Sequence, residues 1–117
     1  MGQKLSPGDR LRRDMDEALR RAGEDRGVAL VWDEVEELAL ERAADAANRA
    51  EEIRLVLDNE MRSEEANPNV IVRLSAELRA LDKSVVDLCS RLNLGIGQAK
   101  SARHQKAARA RWDRRIS

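Results

Sequence analysis

Residues 71–92 read IVRLSAELRALDKSVVDLCSRL, and their apolar positions recur at alternating spacings of three and four. We call this series the heptad seam; its members are Ile71, Leu74, Leu78, Leu81, Val85, Leu88 and Leu92. The spacing fills every a and d position of three heptads, which is typical of a helix that packs lengthwise on another helix. The stretch therefore predicts a long amphipathic helix whose seam forms a core or an oligomerisation surface.

A second long helix is predicted just before this one. Asp33 and Glu36 have the spacing of a capping box, and nothing breaks a helix from there to about Ala66. Asn67-Pro68 then separates the two helices, because Pro fits a first helical turn and disfavours helix before it. The predicted apolar stripe of this second helix comprises Val35, Leu38, Ala43, Ala46, Ala50, Ile53, Leu57 and Met61. A short link between two long helices predicts an antiparallel hairpin.

The ends of the chain predict two shorter elements. Ser6 can cap a first helix with Pro7 at its first position, and Gly23 is predicted to end it. The predicted fold class is all-α, a long antiparallel helical hairpin with a short N-terminal helix and a basic C-terminal helix or tail. The predicted division is residues 1–27 for the N-terminal helix and turn, 28–97 for the hairpin core, and 98–117 for the basic segment.

The composition indicates a thin core. The 117 residues include no Phe, no Tyr and only two Trp, although 42% are hydrophobic and 38% are charged. Several apolar residues also lie off the heptad seam, namely Val70, Val72, Val86 and Leu94. They widen the apolar surface beyond what one partner helix would cover, which predicts a homo-oligomer. The alternative is a seam that packs only within its own chain.

The net charge is zero, but its distribution is uneven. Residues 9–66 carry 18 acidic and 10 basic side chains, a net charge of −8, whereas residues 100–115 carry a net charge of +6. The basic residues of the second range are Lys100, Arg103, Lys106, Arg109, Arg111, Arg114 and Arg115. Such side chains neutralise phosphates without reading base sequence, so this segment is the candidate site for DNA or for docking a protein partner. The alternative is a solvated basic end.

Catalytic chemistry has little support in the sequence. The chain has one His, one Cys and no Tyr, and it lacks a glycine-rich phosphate loop of the G-x-x-x-x-G-K type. The carboxylates do not form a recognisable metal-ligand set, so we expect no enzyme activity, no cofactor and no metal. The single Cys89 cannot form an internal disulfide, and no apolar run approaches a membrane span or a signal peptide, which predicts an intracellular protein.

The order of these features resembles the small subunit of phage terminases, the DNA-packaging family of HK97-like tailed phages. The resemblance covers residues 32–111 and begins with Trp32-Asp33 and an Ala-rich acidic helix. It continues through Asn67-Pro68-Asn69 into the heptad seam, then Leu92-Asn93-Leu94-Gly95 and Lys100-Ser101-Ala102-Arg103. The family's usual Pro near this last segment is absent here.

The resemblance implies a ring-forming homo-oligomer in the cytoplasm of the bacterial host. Such a protein binds double-stranded viral DNA and regulates the large terminase subunit, which holds the ATPase and nuclease. Residues 1–27 offer too little for the helix-turn-helix that many members carry, so the basic segment is the expected site for DNA or for the large subunit. The alternative is a non-catalytic helical adaptor or scaffold that binds another protein and no DNA.

Overall fold

The regular structure of the chain is helical throughout the part described by a computed structural model, residues 4–94. The helices are α1 (Pro7–Arg26), α2 (Glu34–Arg62) and α3 (Pro68–Cys89). No strand occurs within residues 4–94, and residues 28–32 form an irregular connection between α1 and α2. The all-α fold class is therefore confirmed for this part of the chain.

All three helices begin where their local sequence predicts. The Ser6 hydroxyl accepts a hydrogen bond from the Asp9 amide at 3.1 Å, ahead of Pro7 at the first helical position. Asp33 and Glu36 form a complete capping box at the start of α2. The Asn67 side chain accepts from the Asn69 amide at 2.9 Å. These caps satisfy amides that have no partner inside the helix, so short sequence signals are enough to fix helix starts.

The end of α1 differs from the prediction at Gly23, because the helix continues to Arg26. A single helical glycine costs only about 1 kcal/mol, which tertiary packing can offset. The residue that ends α1 is Gly27, whose φ of 69° lies in the left-handed region that favours glycine. Gly23 serves close packing instead: a Cβ there would lie 2.6 Å from the Val28 carbonyl oxygen.

Helices α2 and α3 are both shorter than the sequence predicts. α2 ends at Arg62 and not near Ala66, because Ser63 has extended backbone with ψ of 141°. The Glu60 carboxylate holds the link by accepting from the Asn67 amide at 2.8 Å. α3 ends at Cys89, so Leu92 of the heptad seam lies beyond the helix.

The core lies along α2, which contacts both other helices, whereas α1 and α3 do not contact each other in the described part of the chain. The buried apolar side chains are Leu19, Ala39, Leu40, Ala43, Ala50, Ile53 and Leu57. Half of the predicted stripe of α2 is therefore correct, but Val35, Leu38 and Met61 are exposed. The true buried face includes Glu36, Ala43, Ala50 and Leu57 at intervals of seven. At the start of α2 this face therefore contains the Glu36 carboxylate, whereas the prediction places Val35 and Leu38 there.

The closest approach of α1 to α2 occurs at Gly8. Its amide donates to the Asn48 side-chain oxygen at 2.8 Å, a contact between residues forty positions apart. A Cβ on Gly8 would lie 2.5 Å from the Ala44 carbonyl oxygen and 2.8 Å from the Asn48 side-chain nitrogen. Because the nearer of these atoms belongs to a helix backbone, it cannot move aside as the tip of a side chain can.

Gly8→Ala tests whether this approach decides the position of α1. Helix propensity alone favours Ala by about 1 kcal/mol, whereas overpacking against α2 costs about 1–3 kcal/mol. We expect the melting temperature to fall. The comparison variant is Gly27→Ala, where a Cβ meets no atom within 4 Å and only the left-handed backbone is strained. An unchanged or raised melting temperature for Gly8→Ala would show that α1 is not held by this contact.

Candidate interaction surfaces

The heptad seam is only half covered by the rest of the described chain. All seven of its residues have intermediate exposure, and no residue of α3 is buried. Three of the buried residues of α2 are Ala, namely Ala39, Ala43 and Ala50, and such small side chains cover little of a neighbouring Leu. The seam therefore packs on α2 and still leaves apolar area accessible.

The outer side of α3 carries two further apolar side chains. Val72 is 66% exposed and Val86 is 67% exposed. They lie fourteen residues apart, two heptads, and therefore on one face of the helix. Val70 and Leu94, the other residues off the seam, are half-buried. The predicted widening of the apolar surface is thus present at Val72 and Val86.

Two ion pairs flank the contact between α2 and α3. Arg49 lies 3.7 Å from Glu77, and Arg54 lies 3.8 Å from Asp82. All four side chains are more than two-fifths exposed. Exposed pairs of this kind contribute about 0–1 kcal/mol, so they accompany the packing of the helices and do not determine it.

Glu36 connects the start of α2 to the chain beyond α3. Its side chain is 3% exposed, and one carboxylate oxygen accepts from the Asp33 amide at 3.1 Å while the other accepts from the Asn93 amide at 2.8 Å. The sequence predicts the first bond through capping-box spacing, but it contains no signal for the second. This carboxylate therefore fixes the place where the chain leaves the helices, just before the predicted basic segment.

A concave surface lies on the other side of α2, between this helix, α1 and residues 28–32. It has two adjoining parts that share Arg12, Trp32 and Glu37. We call the whole surface the α1–α2 groove. Its apolar end is lined by Leu30, Val31 and Trp32, and its acidic end by Asp9, Glu34, Leu38, Glu41 and Asp45.

A chain of polar contacts fixes the middle of the α1–α2 groove. The Trp32 indole donates to Asp16 at 2.9 Å, Arg12 donates to Asp16 at 3.2 Å, and Arg12 also donates to Glu37 at 2.8 Å. Partial burial lowers the pKa of Arg12, but its hydrogen bonds to Glu37 and Asp16 outweigh this and raise the pKa overall. Among residues 4–94, the one cation that lines the acidic end, Arg12, is therefore already neutralised.

The remaining carboxylates of the acidic end have no such partner. Asp9, Glu34, Glu41 and Asp45 are exposed, and none of them forms an ion pair with a residue in the described range 4–94. Glu34, Leu38, Glu41 and Asp45 are spaced four, three and four, so they form one face of α2. Leu38, at the centre of this face, is 50% exposed. The face combines an apolar centre with negative charge on both sides.

The chemical groups of catalytic or metal sites are sparse in residues 4–94. No group of three or more potential metal ligands occurs there, and burial raises the pKa of the Cys89 thiol, which keeps it protonated. No helix in this range has the length and apolar character needed to cross a membrane. All seven predicted DNA-binding or docking residues, from Lys100 to Arg115, lie outside the described residues.

Comparison with known proteins places no constraint on the function, since no protein family, no curated protein and no solved structure matches the chain. The sites discussed below therefore depend on the chain's own geometry and sequence.

Glu36→Ala tests the carboxylate that connects the start of α2 to Asn93, just after α3. The substitution leaves the amides of Asp33 and Asn93 without this acceptor, which costs about 1–3 kcal/mol of unfolding free energy. Glu41→Ala is the matched control, since Glu41 is exposed on the same helix and the expected change is within about 0.5 kcal/mol. Urea denaturation monitored by circular dichroism measures both. Equal effects for the two variants would show that the buried carboxylate has no special role.

Proposed function

We propose that this chain is a small terminase subunit: a non-catalytic protein that forms a ring, binds viral DNA and regulates the large subunit. The observation that carries the proposal is the half-covered heptad seam on a helix without any buried residue. A further copy of the chain could complete such a surface. The resemblance of residues 32–111 to phage terminase small subunits supplies the biological setting.

The shape proposed for the subunit is an antiparallel helical hairpin. Contacts at both ends of α2 support it. Near the end of α2, Glu60 bonds to Asn67 at the start of α3, while near the start of α2, Glu36 bonds to Asn93 just after α3. Together with the five-residue link of residues 63–67, these contacts are those expected of neighbouring helices that run in opposite directions.

Assembly is supported by how little large apolar area the chain buries. Three of the seven buried apolar residues are Ala, whereas Leu55, Val56, Val72 and Val86 are each more than half exposed. Exposed Leu and Val side chains on two helices favour association, since removing them from water contributes about 25 cal/mol per Å². We propose that the outer side of α3, around Val72 and Val86, contacts a neighbouring copy.

DNA contact is assigned in this proposal to the basic segment. The body of the chain carries the net charge of −8 in residues 9–66 and should repel a duplex, while residues 100–115 carry +6 and should attract it. In a ring the segment would be repeated around a circle, so weak contacts would add through multivalency. The same basic side chains could instead contact the large subunit. The DNA-binding test distinguishes these two roles.

A helical adaptor that binds another protein is the second candidate, and the α1–α2 groove favours it. This groove presents apolar Leu30, Val31 and Trp32 beside unpaired carboxylates, a combination suited to a peptide and unsuited to a duplex. An adaptor of this kind would remain a monomer or dimer and would not bind DNA.

The oligomeric state tests the assembly step. Multi-angle light scattering at micromolar concentration should give a mass several times that of one 13.2 kDa chain. Replacing Val72 and Val86 together by Lys should reduce this mass without reducing helix content, because both side chains are mostly exposed in the isolated chain. Lys at Leu5 and Met61 is a matched control, as these side chains are exposed elsewhere. A one-chain mass at all concentrations would exclude the ring.

The DNA-binding test changes the seven basic residues of the segment to Gln in the full-length chain. Duplex affinity should fall to the background level and its salt dependence should flatten, since fewer counterions are released. A control variant replaces exposed arginines of α1 by Gln, namely Arg10, Arg13, Arg21 and Arg26. Mobility-shift titrations at two salt concentrations compare the variants. If the α1 variant loses binding and the C-terminal variant retains it, the duplex contacts α1 and the basic segment serves another partner.

A further inference from the structure

We propose that the α1–α2 groove is a docking site for the chain's own C-terminal segment, residues 98–117, which thereby competes with DNA for the basic side chains. The regulatory consequence rests on the proposed function, whereas the docking does not. The observations that favour this occupant are charge complementarity, the apolar content of both surfaces and the place where the described chain ends.

The acidic end of the groove supplies the charge complementarity. Glu34, Glu41 and Asp45 are exposed without an ion pair in the described part of the chain, whereas Glu51 and Glu52 of the same helix are paired with arginines of that helix. Arg12, the cation at this end, is already engaged by two carboxylates. The groove therefore presents a net negative field that a basic segment can neutralise.

The apolar parts also correspond. Leu38 lies at the centre of the acidic face and Val31 lies at the adjoining end of the groove, and each is about half exposed. In the C-terminal segment Ala108, Trp112 and Ile116 recur every four residues, and basic residues surround them in the sequence. A segment that bound only through its charges would not require Ala108, Trp112 and Ile116. A segment that packs on Leu38 and Val31 can bury these three side chains.

The chain leaves the described helices at the correct end of α2. Asn93 is bonded to Glu36, one residue from Glu37 of the groove. Lys100 is six positions after Leu94, and an extended chain of six residues spans up to about 20 Å. A helix is about 10–12 Å across, so Lys100 can reach the acidic face by passing the start of α2. The segment of a neighbouring copy in an oligomer could fill the same groove.

Zero-length carbodiimide crosslinking of the full-length protein, read by mass spectrometry, tests the docking directly. Links from Lys100 and Lys106 should concentrate on Asp9, Glu34, Glu41 and Asp45. Asp58, Glu64 and Glu65 are exposed acids away from the groove and provide the comparison. Mixing isotope-labelled with unlabelled chains assigns each link to the same chain or to a neighbour. The absence of links, or an even spread over both groups of acids, would overturn the proposal.

A matched pair of variants then tests the consequence for DNA. Leu38→Arg places a positive charge at the centre of the acidic face, and Leu55→Arg adds the same charge at an exposed Leu of the same helix outside the groove. Leu38→Arg should reduce the links to Asp9 and Glu34 and raise duplex affinity by about fivefold or more over Leu55→Arg. Circular dichroism confirms that both retain the helix content of the natural chain.

The outcomes separate the two proposals. If neither the unsubstituted protein nor any variant binds a duplex, while the crosslinks to the groove acids persist, the proposed function fails and the docking stands. If duplex binding is strong and the two Arg variants give the same links and the same affinity, the docking fails and the proposed function stands.

Discussion

The structure depends on the packing of α2, because α1 and α3 contact this helix and not each other. One face of α2 buries Ala43, Ala50 and Leu57 at heptad spacing, and another meets α1 at Ala44 and Asn48. Small residues at both contacts permit close approach of the backbones. Close approach has a cost, however, since an Ala side chain removes little apolar area from water.

This constraint explains why so much of the surface remains apolar. The heptad seam of α3 stays half exposed although α3 packs against α2, whose buried residues include Ala39, Ala43 and Ala50. The exposed Val72 and Val86 are on the other side of α3, where the described chain provides no covering element. The proposed assembly would cover part of this apolar area, which links the thin core to that proposal.

The features that the sequence predicts well are those decided by a few neighbouring residues. The caps at Ser6, Asp33 and Asn67 each involve atoms within three positions, and all three helix starts are confirmed. Features that depend on distant residues are less predictable. The Glu36 carboxylate accepts from the Asn93 amide, fifty-seven positions away, and Gly8 packs against the Ala44 carbonyl oxygen of another helix. The spacing of apolar residues along α2 gives no information on either contact. The prediction therefore places Val35 and Leu38 on the buried face, although both are exposed.

Charge pairing is unevenly distributed over the surface of the described chain. Most ion pairs of the described chain join residues three or four positions apart on exposed surface, and such pairs neutralise charge locally without adding much stability. Asp9, Glu34, Glu41 and Asp45 at the acidic end of the α1–α2 groove differ, since they form no ion pair within residues 4–94. Their negative field must be balanced by ions from solvent or by a basic segment from the protein itself.

A tethered segment has a high effective concentration, so weak docking can persist in the free protein. A duplex that engages several segments at once can displace it through multivalency. Under the proposed docking, the acidic body would hold the segment until a stronger polyanion displaced it, and the proposed DNA binding would then depend on assembly as well as on charge.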